Sequence, residues 1–386
     1  MAKKIYIGID GVARRVKKGY IGIDGIARKL KKAYIGIGGI ARPCWNGGEL
    51  YYFGNIAKSS IVERSEQAAT TIGDYALFAG GRTWSDIPNV GHVLAYEARL
   101  FAYDKSLTLV DNFILLNGAR SKLAAATIGD YALFAGGGDG TARSTVDAYD
   151  KSLTRTNPTE LSAARFGLAA ATIGDYALFA GGETSEGFSA VVDAYDKSLT
   201  RTTQTALSTA RSELAATTIG DYALFAGGQK AEDQNGFVTS STVDVYNKSL
   251  TLTSMIQLSV LRSELAAATI GGYALFAGGK AINITAKVDA YDKSLIRTHP
   301  TALSAARFGL AAATIGDYAL FAGGETSKGF SAVVDSYDKS LTRMTQTALS
   351  TARSELAATT IGAYALFAGG KGADDVRYNT VDVYSV

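Results

Sequence analysis

The stretch TIGDYALFAGG, residues 172–182, decides the fold because it, or a close variant, occurs seven times along the chain. Its first glycine stands at positions 73, 129, 174, 220, 271, 316 and 362, so successive copies are 45 to 56 residues apart. A period of about 40–50 residues made of several short strands is typical of propeller blades, each of which buries its faces against its neighbours. The sequence therefore predicts an all-β, seven-bladed β-propeller.

The unit at 165–210 divides into four predicted strands. LAAATI (168–173) is small and apolar, as suits an inner strand near a crowded axis. A tight IGDY turn leads into YALFAGG, then AVVDAYD follows a polar loop, and SLTRTTQT is the most polar and outermost strand. The segment 165–201 returns almost unchanged at 307–343, which indicates that three blades were duplicated together.

The two ends of the repeat region predict how the ring closes. The last unit stops at VDVYSV and supplies only three strands, whereas ELYYFGNI (49–56) stands where other units carry the fourth. We expect this upstream strand to complete the seventh blade and leave no open edge.

Three recurring features of residues 49–386 resemble the kelch repeat family. They are a glycine pair after the second strand, a tyrosine in a VDxY third strand and an arginine before the inner strand. The pairs begin at Gly80, Gly136, Gly181, Gly227, Gly278, Gly323 and Gly369; the tyrosines are Tyr103, Tyr149, Tyr195, Tyr246, Tyr291, Tyr337 and Tyr384; the arginines are Arg64, Arg120, Arg165, Arg211, Arg262, Arg307 and Arg353. The tryptophan that this resemblance implies in the fourth strand is missing, so blade-to-blade packing should differ in detail.

The charge of the chain is unevenly distributed. Residues 1–43 hold eleven Lys or Arg against two Asp, a net of +9, and the remaining chain carries −6. The single cysteine, Cys44, excludes an internal disulfide framework and is interpreted as a small apolar filler. The start lacks the pattern of a signal peptide, and no window approaches eighteen apolar residues. We expect synthesis in a bacterial cytoplasm without membrane insertion.

Residues 1–45 contain three copies of a different, 14-residue unit, and we treat them as a separate domain from the ring at 46–386. Each copy places Asp-Gly or Gly-Gly between two short strands, the pattern of a two-residue hairpin turn. The copies predict a six-strand meander too small to hold its own core, which should attach to a partner or to other subunits. The candidate attachment residues are Tyr6, Arg14, Tyr20, Arg28, Tyr34 and Arg42.

The phrase KKAYIGIGGIAR (31–42) resembles segments of minor structural and tail proteins of phages and prophages. This resemblance implies attachment of a C-terminal head to a tail or fibre, as a homotrimer, and a location in the virion. A nucleic-acid interface is the alternative for the basic residues, and solvated bases facing an acidic partner are the simpler interpretation that we favour. A phosphate loop is not expected, because no helical pattern follows the glycines and they stand where a hairpin turn requires them.

Connections between second and third strands should emerge together on one face of the ring, and they differ from blade to blade in length, charge and aromatic content. The turns of the opposite face, IGDY and YDKSLT, are almost constant. Diversified loops on a rigid scaffold are a common way to build a binding surface. The candidate ligand-binding residues are the aromatic or imidazole side chains Trp84, His92, Phe188, Phe237, Phe330 and Tyr378, and the polar side chains Asp139, Glu183, Asp233, Glu325, Asp374, Asp375 and Arg377.

Catalytic patterns are not apparent in the sequence. His92 and His299 are far apart and Cys44 lies outside the ring, so a copper site is not expected; Asp139 and Asp147 offer too few oxygen ligands for calcium. We therefore expect no cofactor, no metal and no enzymatic activity. The leading hypothesis is a phage or prophage tail-associated protein whose loops recognise a host surface glycan or protein. An intracellular bacterial kelch scaffold and, more weakly, a carbohydrate-active enzyme remain alternatives.

Overall fold

The computed structural model describes residues 6–9, 12–15, 19–23, 26–30, 33–37, 40–45, 50–56, 62–87, 91–232 and 236–386. For the described residues of 6–45, and for 86–87, 92, 111–113, 232 and 236–237, it describes the backbone alone. Seven four-stranded antiparallel sheets form a β-propeller, which confirms the predicted all-β fold and blade number.

Each blade repeats one order of inner, second, third and outer strand. The inner strands are Ala68–Ile72, Ala124–Ile128, Ala169–Ile173, Ala215–Ile219, Ala266–Ile270, Ala311–Ile315 and Ala357–Ile361. The second strands are Tyr75–Ala79, Tyr131–Ala135, Tyr176–Ala180, Tyr222–Ala226, Tyr273–Ala277, Tyr318–Ala322 and Tyr364–Ala368. The third strands are Arg99–Asp104, Val146–Tyr149, Val192–Asp196, Thr242–Asn247, Val288–Asp292, Val334–Asp338 and Val381–Ser385. The outer strands of blades 1 to 6 are Leu109–Leu115, Arg155–Thr156, Arg201–Thr203, Leu252–Gln257, Arg297–Thr298 and Arg343–Thr345.

The seventh blade takes its outer strand from upstream. Tyr51–Asn55 pairs antiparallel with Val381–Ser385, and the Tyr52 hydroxyl donates a 2.6 Å hydrogen bond to Asp382 Oδ1. The inner strand of this blade contacts that of the first, so the ring is closed. The predicted closure by residues 49–56 is therefore confirmed.

Between blades, leucine, phenylalanine and tyrosine are the largest side chains of a core that also contains alanine, valine and isoleucine. Leu178 of the third blade packs on Phe225 and Tyr246 of the fourth, and all three are fully buried. Phe225 and Tyr246 meet edge to face at 5.9 Å between ring centroids, a geometry that aromatic quadrupoles favour. Equivalent phenylalanine–tyrosine pairs recur in every blade and fill the interfaces in the absence of a fourth-strand tryptophan.

Six blades contain a fully buried ion pair between the repeated arginine and the aspartate of VDxY. In the third blade, Arg165 Nη2 lies 2.6 Å from Asp193 Oδ2, and Arg165 also donates to two backbone carbonyls. Burial lowers the pKa of this guanidinium, and the carboxylate opposes that shift. The pairs are Arg120–Asp147, Arg165–Asp193, Arg211–Asp244, Arg262–Asp289, Arg307–Asp335 and Arg353–Asp382.

The first blade replaces this aspartate with Phe101. The Arg64 guanidinium lies 4.4 Å from the Phe101 ring centroid and donates to the carbonyl oxygens of Phe78, Gly80 and Arg99. Burial lowers the pKa of Arg64 to about 9, and the charge of Glu97 opposes that shift only in part.

Three further hairpins precede the ring. Tyr6–Ile9 pairs with Val12–Arg15, Gly19–Ile23 with Ile26–Leu30, and Ala33–Ile37 with Ile40–Trp45. In each hairpin the residues that flank the predicted two-residue turn lie opposite each other, for example Ile9 and Val12. Among the described residues, however, these strands form three separate two-stranded sheets and not the predicted six-strand meander.

Smaller elements decorate the ring. Hairpins pair Arg82–Ile87 with Gly91–Tyr96, Glu183–Thr184 with Gly187–Phe188, Gln229–Glu232 with Gly236–Thr239, and Glu325–Thr326 with Gly329–Phe330; a 3₁₀ turn covers Ala373–Asp375. They follow the second strand of blades 1, 3, 4, 6 and 7, so they lie on one face, which we call the loop face.

Candidate functional site

The opposite face, here called the turn face, is nearly the same in most blades. An aspartate after the first strand pairs with a lysine of the third-to-fourth turn, as in Asp175–Lys197 at 2.5 Å. Both side chains are more than half exposed, so each pair contributes little to stability. The pairs are Asp74–Lys105, Asp130–Lys151, Asp175–Lys197, Asp221–Lys248 and Asp317–Lys339. This face therefore presents the same ion pair in five of the seven blades.

On the loop face, a closed ring of backbone hydrogen bonds surrounds the propeller axis. One residue per blade, two positions after the repeated arginine, donates its N–H to the carbonyl of the same residue in the preceding blade, at 2.9 to 3.1 Å. All seven residues have positive φ, between 51° and 65°. We call them the collar: Glu66, Lys122, Gly167, Glu213, Glu264, Gly309 and Glu355.

Five collar residues adopt this left-handed backbone although they are not glycine. Such a conformation costs a residue with a side chain on the order of 1 kcal/mol, a cost that Gly167 and Gly309 avoid. The five charged side chains are therefore kept at positions where glycine would relieve strain. Strain of this kind is frequent at functional sites.

The charged collar residues are paired with neighbours on the loop face. Glu264 binds Lys280 at 2.9 Å and Glu355 binds Lys371 at 2.7 Å. Lys280 and Lys371 directly follow the glycine pair of the same blade, as does Arg82, which binds Glu66.

Lys122 is the only basic collar residue, and it reaches across to Glu213 at 2.8 Å. Burial alone would lower the pKa of Lys122, but Glu213 and Glu66 overcome this effect and raise it. The lysine is therefore held in its charged form beside two carboxylates.

Two blades depart from this pairing. Where the collar residue is Gly167 or Gly309, the position after the glycine pair is Glu183 or Glu325. Neither carboxylate has a hydrogen-bond or ion-pair partner among the side chains that the structure describes, and both line the mouth of the axial channel. These blades are the duplicated third and sixth, so the collar has two uncharged gaps, each next to an unpaired acid.

The mouth of the channel is a cavity of about 620 Å³ beneath the collar. Its second tier is apolar except for one residue, and consists of Gln67, Leu123, Leu168, Leu214, Leu265, Leu310 and Leu356. Deeper in the channel, threonine hydroxyls link adjacent inner strands, as Thr172 Oγ1 donates to the Thr127 carbonyl at 2.8 Å. The cavity therefore combines a polar rim with an apolar wall, as small-molecule sites do.

Three predicted ligand residues meet at the seam between the first and last blades. Trp84 Nε1 donates a 3.1 Å hydrogen bond to the Asp375 carbonyl, and the Arg377 guanidinium lies 4.9 Å from the indole centroid. Arg377 also pairs with the Asp375 carboxylate at 3.2 Å. Since these groups already bind one another across the seam, their observed role is to join the blades, although Trp84 is 40% exposed.

The structure does not gather the remaining predicted residues into one site. Glu183 and Glu325 lie at the channel mouth, opposite Phe188 and Phe330 in two short hairpins. Asp139 binds Arg143, which lowers the pKa of the carboxyl, and Asp147 is a structural partner of Arg120. Tyr378 and Asp374 belong to the last loop, in which Asp374 has φ of 53°. The side chains of His92 and Phe237, and all of Asp233, lie outside the described part of the chain, as do the six attachment side chains of residues 6–42.

Sequence reasoning overlooked the collar and the buried ion pairs. The signal for the collar was the varying third residue of RSE, RSK and RFG, directly after the constant arginine. The signal for the ion pairs was that this arginine and the VDxY aspartate recur together in six units. The remaining unit, the first, keeps the arginine and has lost the aspartate.

Comparison with known proteins assigns no family: no protein-family model and no curated protein matches the chain. Within the described residues, no three His, Cys, Asp or Glu side chains form a group that could hold a metal ion. The same part of the chain contains no helix of the length and hydrophobicity needed to cross a membrane. The seven-bladed fold is compatible with a binding scaffold.

Proposed function

We propose that this protein is a kelch-type, non-enzymatic binding protein of a phage or prophage tail. Residues 1–45 would attach it, as a homotrimer, to the particle, and the loop face would recognise a component of the host-cell surface. The glycan is the ligand class that we would test first. The resemblances in the sequence motivate the particle and the trimer; the geometry of the ring motivates the binding face.

One observation carries the proposal. The turn face repeats the same Asp–Lys pairs, whereas the loop face changes its residues from blade to blade around one 620 Å³ cavity. Five charged residues are kept in a strained backbone conformation at its rim. Sequence diversity confined to one face of a uniform scaffold supports binding there.

The test of the binding face uses labelled full-length protein on intact bacterial cells and on a printed glycan array. The double variant Glu183→Ala/Glu325→Ala removes the unpaired acids of the loop face. Its matched control, Asp175→Ala/Asp317→Ala, removes two carboxylates from the turn face of the same blades. We expect saturable binding to some cells, weakened by the first variant and unchanged by the second.

Failure of the unaltered protein to bind any cell or glycan would contradict the proposed function. Equal loss of binding in both double variants would place the ligand elsewhere than on the loop face. Light scattering tests the attachment module separately: we expect a trimer that becomes a monomer when residues 1–45 are deleted, and a monomeric full-length chain would contradict that role.

A further inference from the structure

A second, smaller cavity lies on the loop face where the first three blades meet. It has a volume of about 180 Å³, and its wall includes Glu66, Arg82, Tyr96, Ser121, Thr141 and Phe166. Gly138 and Gly140 border it without side chains. We call it the Phe166 cavity.

The duplicated half of the ring shows why this cavity is open. Phe308, the counterpart of Phe166 in the sixth blade, is covered by Lys280, whose Nζ lies 4.1 Å from the ring centroid. The counterpart of Lys280, 142 residues earlier, is Gly138. Since glycine has no side chain to lay over Phe166, the position that Lys280 occupies over Phe308 is part of the Phe166 cavity in the other half of the propeller. Phe308 itself also lines the axial cavity.

The polar wall is already ordered. The Glu66 side chain is 9% exposed, and its two carboxylate oxygens accept hydrogen bonds from Arg82 Nη1 at 3.2 Å and Ser121 Oγ at 3.1 Å. Arg82 Nε is buried and has no acceptor among the described residues. Because this nitrogen is shielded from the cavity, the wall offers a fixed carboxylate with lone pairs to spare.

The charges around the cavity are compensated. Arg82 is paired with Glu66, and Lys122, which also borders the cavity, is paired with Glu213. A ligand with a net charge would have to compete with these pairs, whereas hydroxyl groups can bind to them without breaking them. A neutral ligand with an apolar face and several hydroxyls matches the aromatic and polar walls together.

We propose that the Phe166 cavity binds one pyranose ring of a neutral glycan. The C–H face of the sugar packs on Phe166 and Tyr96, and its hydroxyls donate hydrogen bonds to the Glu66 carboxylate. The volume is below the ~300–1,000 Å³ of sites for drug-sized ligands, so one ring fits and further sugars extend toward solvent. This inference rests on the proposed function, in which the loop face binds a surface ligand, and it names the class of ligand and its place.

The test compares Phe166→Ala with Phe308→Ala in the full-length protein, since the two residues share their local sequence and line different cavities, Phe308 the axial one. Binding to a glycan array and to intact cells is measured, with free glucose, galactose and N-acetylglucosamine as competitors. We expect Phe166→Ala to weaken binding by about tenfold or more, clearly more than Phe308→Ala does, and Phe166→Tyr to retain it. Equal losses in the two alanine variants would contradict the assignment to the Phe166 cavity. Thermal unfolding of each variant verifies that the ring is intact.

Other outcomes separate this inference from the proposed function. If the unaltered protein binds cells and Phe166→Ala binds equally well, the Phe166 cavity is not the site although the loop face still binds. If Phe166→Ala is folded and loses binding, but periodate oxidation of the cell-surface sugars has no effect on the unaltered protein, the ligand is not a glycan. Should the unaltered protein bind neither cells nor glycans, the proposed function itself fails.

Discussion

The backbone N–H of Glu66 donates a 3.1 Å hydrogen bond to the carbonyl oxygen of Glu355, and this bond joins the first blade to the last. It is the member of the collar that spans the seam, where the first and last blades of the ring meet. The strand Tyr51–Asn55 and the contact of Trp84 with Asp375 cross the same seam. Three contacts therefore close the ring: a backbone hydrogen bond near the axis, a side-chain hydrogen bond on the loop face and strand pairing at the outer edge.

The hydroxyl of Tyr52 should contribute to this closure. Tyr52→Phe removes the hydrogen bond to Asp382, and we expect it to lower the free energy of unfolding by about 1–2 kcal/mol. Tyr75→Phe is the control, because the Tyr75 hydroxyl has no partner among the described residues. Chemical denaturation of both variants measures the difference, and equal midpoints would show that the bond does not stabilise the closing strand.

The buried ion pairs should matter far more than the exposed ones. Asp193→Ala leaves the Arg165 guanidinium buried without its carboxylate, which we expect to cost about 3–5 kcal/mol. Asp175→Ala, in the same blade, breaks an exposed pair and should cost less than about 1 kcal/mol. Thermal unfolding distinguishes the two. Similar midpoints would mean that backbone carbonyls alone satisfy Arg165, as they do for Arg64 in the first blade.

Because the collar backbone is strained, replacing an ion-paired collar residue with glycine should cost little stability. Glu213→Gly copies the residue found in the third and sixth blades, so the relief of left-handed strain should offset the lost Lys122 pair and leave stability within about 1 kcal/mol of the original. Glu213→Val places a β-branched residue at φ of 51° and should be less stable than the glycine variant by about 1–3 kcal/mol. A valine variant as stable as the glycine variant would argue against strain at this position.

Alkaline pH should unfold the ring. Burial, followed by the charge of Asp193, raises the pKa of Tyr195, and the equivalent tyrosines are raised likewise. Unfolded tyrosine ionises near pH 10 whereas the folded groups keep their protons, so the unfolded state binds fewer protons above that pH and stability falls. Below about pH 10 these groups contribute no pH dependence.

The check is thermal unfolding between pH 8 and pH 11. Tyr195→Phe removes one titrating group, so its stability should fall less steeply with pH above about 10, although losing the hydrogen bond to Thr159 lowers stability at neutral pH. An identical slope in the variant and the unaltered protein would contradict the assignment.

Blade number, strand order and the closing strand could be predicted from the sequence because they depend on repeat spacing and on one missing strand. Which face carries the variable loops followed from the same strand order. The collar could not be predicted, because positive φ at Glu66 and Lys122 and the bond between them arise from the packing of different blades. Nor could the sequence place Trp84 beside Asp375, which lies 291 residues away and becomes its neighbour only when the ring closes.

The near-identical sequences of the two duplicated halves do not produce equivalent sites. Phe166 and Phe308 have the same neighbours in sequence, so equivalent sites are the natural expectation. Their surroundings differ because the preceding blade supplies Gly138 in one case and Lys280 in the other. Each loop-face site belongs to two or three blades, so no single repeat determines it.

The collar joins all seven blades in the same way, so one blade can take the place of another. Each blade makes the same main-chain hydrogen bond to its neighbour whether its collar side chain is acidic, basic or absent. The sequence of the loop above can therefore change without breaking that bond. A block of three blades could therefore be duplicated within the ring, and its loop-face residues could then diverge, while the collar bonds continued to close the ring.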